Sequence, residues 1–318
     1  MSPCGINNHM NMKKKVLYFI TIALAALQLT ARAQQTEKTP GSLQLGSFTT
    51  QYSYSPFSIN GKRVEIQQVG AAFNLPVFYT FKDNKLDFLL AGLEYNGLFL
   101  SGTGDRFGGS RFGTFSLPVT FQKSLSTKYA LIASFIPTLS SDLKDISGED
   151  MTYSAAVMLR IRKSETFSYS LGVAYSWQFF GNVLIPVIGM DWNISDRWTY
   201  SGTLPIAEKL KYKISSKNFA GISNDFSIGG GAYRLSKQMD SKYFQLQQIR
   251  TSLFYEYAPA KNFSVQISGG YNISQKLDLY NKNEKVGLVP FDNLNKRVPL
   301  EEINKTGFAM QTSISFRF

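Results

Sequence analysis

The sequence offers few groups able to do covalent chemistry. Its one cysteine, Cys4, and its one histidine, His9, both fall within the first ten residues. What recurs instead is single charges set at alternate positions within apolar segments. Lys209, Lys211 and Lys213 share one face of a segment that carries Leu210 and Tyr212 on the other. Arg160 and Arg162 share a face, and Asp87, Glu94, Asp191, Arg250, Glu256 and Arg317 each stand beside an apolar or aromatic neighbour. Charges on the inner face of a pore wall set the electrostatic preference of what passes. Basic residues outnumber acids in this set, and the lysine ladder makes an anion-leaning lumen one reading. Solvated or mutually paired interior charges are the other, and they are the default of any barrel interior.

Enzyme chemistry finds little footing. Without histidine after residue 9, triads and dyads that need an imidazole base are excluded from the rest of the chain, and no P-loop, H-E-x-x-H or G-x-S-x-G pattern occurs. Asp142, Asp145, Glu149 and Asp150 could offer oxygens to Ca²⁺. They lack the spacing of an EF-hand, so a solvated acidic loop is the expectation, with no metal and no cofactor.

The elements that position these residues begin with a leader. Lys13–Lys15 precede an apolar run from Val16 to Leu29, followed by Ala31-Arg32-Ala33. A positive stretch, a short apolar core and an A-x-A site predict a secretory signal peptide over 1–33, cleaved after Ala33 with Ala31 as the other small residue. Fourteen helical residues rise only about 21 Å, short of the roughly 30 Å of a bilayer core. Cleavage removes Cys4, His9 and four basic residues from the formal +12, and leaves 34–318 as one domain. Without a basic cluster beside an exposed aromatic platform, that charge does not argue for nucleic acid.

The chain is 14% aromatic and only 18% charged. After residue 33 no apolar run approaches the roughly 20 residues of a spanning helix, and period-two alternation takes over. Phe167, Tyr169, Leu171, Val173, Tyr175, Trp177 and Phe179 alternate with Ser, Gly, Ala and Gln. Similar alternation fills 151–162, 263–274 and 308–318. Such strands exceed the five or six residues usual in soluble sheets and match the 9–11 tilted residues that cross a bilayer. Their second face is small and polar rather than a second core. In lipid every backbone group must be paired, so a closed sheet is required. The fold class is all-β: a transmembrane antiparallel up-and-down β-barrel of about 14 strands, or 12 if the short hairpin 198–214 is misread.

Tight connections at 82–85, 124–128, 163–166, 195–197, 215–218 and 258–262 alternate with longer ones at 102–111, 141–150, 236–242 and 281–305. Short periplasmic turns and longer outer loops are the expected asymmetry. Aromatic girdles are predicted beside the tight turns, from Tyr79 and Phe81 round to Trp192, Trp198 and Phe318, and toward the long loops at Phe99, Tyr153, Trp177, Phe179, Tyr243 and Tyr271. Five Leu/Ile-Pro pairs, at 75–76, 117–118, 136–137, 185–186 and 204–205, predict bulges, either benign or opening a lateral gap. Loop 281–305, with Val286, Leu288, Val289, Phe291 and Leu294 among charges, is either an inward constriction or an exposed segment.

The terminal run Thr312–Phe318 ends on an aromatic residue and resembles the C-terminal assembly signal of Gram-negative outer-membrane barrels. By that resemblance Ile314, Phe316 and Phe318 are read by the barrel-assembly machinery. The leader, the strand plan and the whole mature chain are similar to a family of uncharacterised outer-membrane β-barrel proteins of Bacteroidetes-type bacteria. The resemblance implies the Gram-negative outer membrane, with lipid as its surroundings. The expected function is a passive channel or transporter for small solutes, not an enzyme. The alternative is a non-conducting structural or partner-binding barrel, and a side-chain-packed lumen would favour it.

Overall fold

A computed structural model describes residues 45–227, 231–289 and 296–318. The leader reading of 1–33, with Ala31 and Ala33, lies outside these residues. Eighteen strands join one sheet: β1 (Ser47–Ile59), β2 (Lys62–Lys82), β3 (Lys85–Ser101), β4 (Arg111–Ser116), β5 (Val119–Ser124), β6 (Tyr129–Ser141), β7 (Met151–Arg162), β8 (Phe167–Gln178), β9 (Gly181–Asn193), β10 (Trp198–Leu204), β11 (Ala207–Lys213), β12 (Asn218–Ser227), β13 (Ala232–Arg234), β14 (Tyr243–Ala260), β15 (Phe263–Tyr280), β16 (Val286–Val289), β17 (Glu301–Asn304) and β18 (Gly307–Arg317). β4 with β5, β12 with β13 and β17 with β18 are each one interrupted stave. The result is a closed antiparallel barrel of 14 strands, in which β16 is an accessory strand. The short hairpin of β10 and β11 is real, with seven residues in each strand.

Closure joins the two ends of the barrel segment. Ser47 lies opposite Arg317 and Tyr54 opposite Met310, and Gly46 and Phe318 exchange backbone hydrogen bonds of 3.0 and 3.1 Å. No ladder edge is left at the seam, which a wall in lipid requires. Outward positions such as Leu93, Val157, Val173, Leu253, Ile267 and Met310 are apolar and exposed. An apolar belt of that extent is unlike the scattered surface of a water-soluble protein and is what lipid tails cover. Aromatic pairs edge the belt. Trp198–Tyr212 at 4.8 Å and Phe167–Trp192 at 5.6 Å lie by the turns, and Tyr153–Trp177 at 5.7 Å and Tyr271–Phe308 at 5.5 Å lie toward the loops.

One turn chemistry recurs at the end with tight connections. Ser126, Ser164, Ser195 and Ser215 each sit second in a four-residue connection and accept, through Oγ, the amide N–H two residues on. This is the local side-chain capping that makes serine a turn residue. Asp83 and Asn84 turn with φ of 51° and 58°, the left-handed pair of a type I′ hairpin. The loop end also contains tight turns, at Asn60-Gly61, Phe179-Phe180 and Pro205-Ile206, so it is not uniformly long-looped.

The prolines act differently from one another. The β2–β3 register slips between Pro76 and Phe78, bulging Val77, and Leu117-Pro118 breaks β4 from β5. Pro137 and Pro186 stay within paired strands, and Pro205 sits in the turn after β10. Because the β10–β11 hairpin is short, β9 extends past its last β10 partner, Ile188. β16 covers that stretch instead, pairing in parallel at Gly181 and Val183. The wall therefore has a notch, and it is filled by the chain's own loop.

A barrel of this kind is expected to run faster on a gel unheated than boiled, and an unchanged mobility would contradict it. Gly61 has φ +77° and open space around its Cβ position, so Gly61→Ala meets backbone strain alone. We expect it to lower unfolding stability by about 1 kcal/mol in a urea titration in detergent.

Candidate functional site

The site is the lumen, and its shape is set by a strand that crosses it. β13 leaves the wall after the sequence Gly229-Gly230-Gly231 and pairs in parallel with β6, Arg234 lying opposite Ser141. Asp142 donates its amide N–H to Arg234 O at 3.0 Å, and Ser140 Oγ donates to Ala232 O at 2.6 Å. At the loop end this chord divides the ring in two.

A carboxylate clamp holds the chord. Arg234 is 4% exposed and donates to Asp150 Oδ1 at 3.0 Å and Glu149 Oε2 at 2.6 Å, with Asp145 Oδ1 at 3.7 Å. Asp142 Oδ2 accepts the Ser236 amide at 3.1 Å, and Asp145 Oδ2 accepts that of Lys237 at 3.0 Å. The acidic loop is thus only half solvated: Asp142 and Asp150 are buried, while the Asp145 and Glu149 side chains keep partial contact with solvent. Its four carboxylates are committed to one arginine and the segment after it. Among the described residues no group of three or more His, Cys, Asp or Glu is placed to hold a metal.

Both compartments above the chord are packed. On one side Phe107, Phe112, Tyr233, Leu235, Phe244 and Leu246 meet side chains of β1, β2, β3, β15 and β17 in a single apolar core. Phe112 and Phe244 stack at 4.6 Å. On the opposite face of β13–β15, Phe180, Val183, Ala232, Tyr243 and Tyr280 form a second core against β9 and Val286. Residues 243–246 and 277–280 are accordingly buried at four successive positions, the mark of strands covered on both faces. Tyr243 and Phe179, expected in the aromatic girdle, belong to this second core, and Tyr243 is 1% exposed. Arg297 fastens the loop over it. Its guanidinium lies 4.3 Å from the Tyr280 ring centre and 4.8 Å from that of Phe180, and it donates to Gln245 Oε1 at 2.8 Å. Loop 281–305 therefore does not form the constriction, as far as it is described; Phe291 and Leu294 lie outside the described residues.

Beneath the first core the lumen turns polar within one pleat. On successive inward positions Ile66 gives way to Gln68, Leu98 to Asn96, Phe112 to Thr114 and Leu246 to Gln248. These groups, with Arg250 and Asp225, line a chamber of about 320 Å³. A second cavity of about 310 Å³ shares Asp225 and Gln311 with it and reaches Lys209. A third, about 450 Å³, carries Lys211, Glu256 and Arg317 at the turn end. The first two cavities adjoin beneath the core, and the third lies separately at the turn end.

Of the sequence-derived charges Lys209, Lys211, Arg250, Glu256 and Arg317 line these cavities, and most of the set are paired. Glu256 holds both Lys211, at 3.0 Å, and Lys209, at 3.4 Å, reaching across β12 at Gly221. Lys209 also lies over the Phe254 ring at 4.2 Å and donates to Gln266 at 2.5 Å. Arg160 pairs with Asp191 at 2.8 Å beside Arg162, and Asp87 with Lys123 at 2.5 Å. Arg250 donates to Asn272 at 3.2 Å and Gln311 at 2.9 Å. Glu94 is half-buried on the lumen face of β3, and Lys213 and Arg317 are exposed at the turn end. The lysine ladder is in this way an ion-paired cluster at two of its three rungs. Ile314, Phe316 and Phe318 face outward on the closing strand, with Phe318 at 6.0 Å from both Phe316 and Phe73.

Residues 94–297 match a family described as a domain of unknown function, DUF6268. The chain belongs to this family. No curated protein matches the sequence. Among solved structures, an outer-membrane channel from Pseudomonas putida F1 is 12% identical over 89% of this chain and 100% of its own, with a TM-score of 0.38. The P. putida toluene transporter TodX is 8% identical over 86% and 90%, with a TM-score of 0.39. The NanC porin is 11% identical over 85% and 100%, with a TM-score of 0.36.

Sequence reasoning missed Arg234, the chord and the apolar core. The available signals were a lone arginine between Tyr233 and Leu235, a preceding run of three glycines, and an acidic loop without a partner. Removing one side of a buried ion pair costs about 3–5 kcal/mol. Arg234→Met is expected to destabilise the folded barrel by that order and to speed hydrogen exchange at the Asp142 amide. Unchanged exchange there would show that the clamp does not hold the chord.

Proposed function

We propose that this member of the DUF6268 family is an outer-membrane barrel that passes a small polar solute between a turn-end vestibule and a gate at the loop end, closed in this conformation. The observation that carries the reading is the polar chamber capped by an apolar core and joined, through Asp225 and Gln311, to a second cavity that reaches Lys209. The gate is β13: three ladder pairs to β14 and one to β6 fix it, and the Arg234 clamp holds it shut. In this reading the leader directs export, the turn end faces the periplasm, and Ile314, Phe316 and Phe318 present the assembly signal to the barrel-assembly machinery. The lumen carries no enzyme and no cofactor, and nucleic acid is not a partner. The packed loop end favours a second reading, a non-conducting barrel that binds partners through its outer surface.

Conductance in planar bilayers separates the two. We expect the wild-type protein to open rarely and Arg234→Met to open often. A folded Arg234→Met barrel that carries no current supports the second reading. Within the conducting variant, Glu256→Gln leaves Lys209 and Lys211 without their shared carboxylate. The reversal potential in a salt gradient is then expected to move toward anion selectivity, whereas a shift toward cations would contradict the neutralised-cluster account.

A further inference from the structure

The chamber has a lining specific enough to name its solute class, an inference that rests on the channel reading and deepens it. Amide side chains predominate: Gln51, Gln68, Asn96, Gln248 and Gln311. Much of their hydrogen-bonding capacity is unspent. Gln68 and Gln51 use their oxygens, to Ser53 and Gln311, and Asn96, Thr114 and Ser227 make no side-chain hydrogen bond among the described residues. Groups that face the cavity rather than one another can be met by a ligand that supplies both donors and acceptors.

The two charges in the chamber sharpen the choice. Asp225 and Arg250 lie directly opposite in the β12–β14 register and both face the cavity. They nevertheless form no ion pair, because Arg250 is drawn to Asn272 and Gln311. Asp225 thus remains a pure acceptor and Arg250 a partly satisfied donor, with no net charge between them. Hydroxyl groups, each both donor and acceptor, match amides, a carboxylate and a guanidinium together. Tyr233 closes the top of the chamber with an apolar ring against which the C–H face of such a ligand can lie. A volume of about 320 Å³ is at the small end of ligand pockets.

We infer that the chamber is a binding site for an uncharged polyhydroxylated solute of mono- or disaccharide size. The discriminating contacts are Asn96, Thr114 and Asp225.

Saturation-transfer NMR on the full refolded chain in detergent tests this, with glucose and maltose as probes and glycine and succinate as charged comparisons. Saturable millimolar binding of a sugar is expected. Asn96→Leu and Thr114→Val should each weaken it at least fivefold, while Lys163→Ala at the turn-end rim should not. Heat-modifiable mobility confirms that each variant is folded. Tighter binding of glycine, abolished by Asp225→Asn, would overturn the inference in favour of a zwitterion site. The absence of saturable binding by any probe would overturn it in favour of a water-filled lumen. Currents in Arg234→Met with no sugar binding would sink this inference and leave the channel reading standing. Sugar binding without current or uptake in any variant would support the site and sink the channel.

Discussion

The structure turns on one buried ion cluster. A guanidinium taken out of water costs several kcal/mol unless its donors are met, and Arg234 is nearly inaccessible. The segment after β6 folds back to meet it, with Asp150 itself fully buried. That demand fixes the loop Asp142–Asp150 and pins β13 against β6, 93 residues away in the chain from Ser141 to Arg234. Once β13 is there, β14 and β15 follow it inward at the loop end and acquire two faces to bury. The apolar core of Phe112, Phe244 and Leu246 on one face and the Tyr243–Tyr280 core on the other are consequences of this displacement. Burying each such aromatic or leucine contributes on the order of 2 kcal/mol, so the cores return what the ion cluster costs to desolvate.

The strands were legible because their information is local. Period-two alternation and serine-based turns need only neighbouring residues, and the fourteen staves emerge from them almost residue for residue. Even the short hairpin Trp198–Lys213 showed itself by its turns. The chord was not legible, for a physical reason. Three residues of parallel pairing leave no periodicity, and the partner of Arg234 lies in a loop whose acids, read alone, look solvated. The girdle assignment failed at Tyr243 and Phe179 for the same cause. An aromatic at a strand end looks identical whether lipid headgroups or another strand lies over it.

The charges were legible as inward-facing, with mutual pairing as one of two readings, but their partners were not. Lys209 and Lys211 sit on β11 and Glu256 on β14, two strands apart, and they meet across β12, where Gly221 carries no side chain. A Cβ there would come within 2.0 Å of Leu210 O and 2.7 Å of the Phe254 ring. Gly221 therefore permits the close seat of the Phe254 ring over which Lys209 lies. The alternation pattern records which face a residue uses, but not which neighbours a glycine lets through.

An apolar cap over a polar chamber constrains how the barrel can open. A charged constriction would still pass water and select among ions, whereas a close-packed core admits neither. In the channel reading, conduction requires that part of the core move as a body, and β13 is held by only three ladder pairs to β14 and one to β6. Asp225 and Ser227 on β12, and Gly231 beside β13, line the chamber on the same stave that ends at Arg234. A ligand shifts an equilibrium only by its differential affinity for the two states. In the channel reading the wall that moves with β13 is this stave, so a ligand in the chamber would act on the gate through Asp225, Ser227 and Gly231 rather than through the hairpin of β2 and β3.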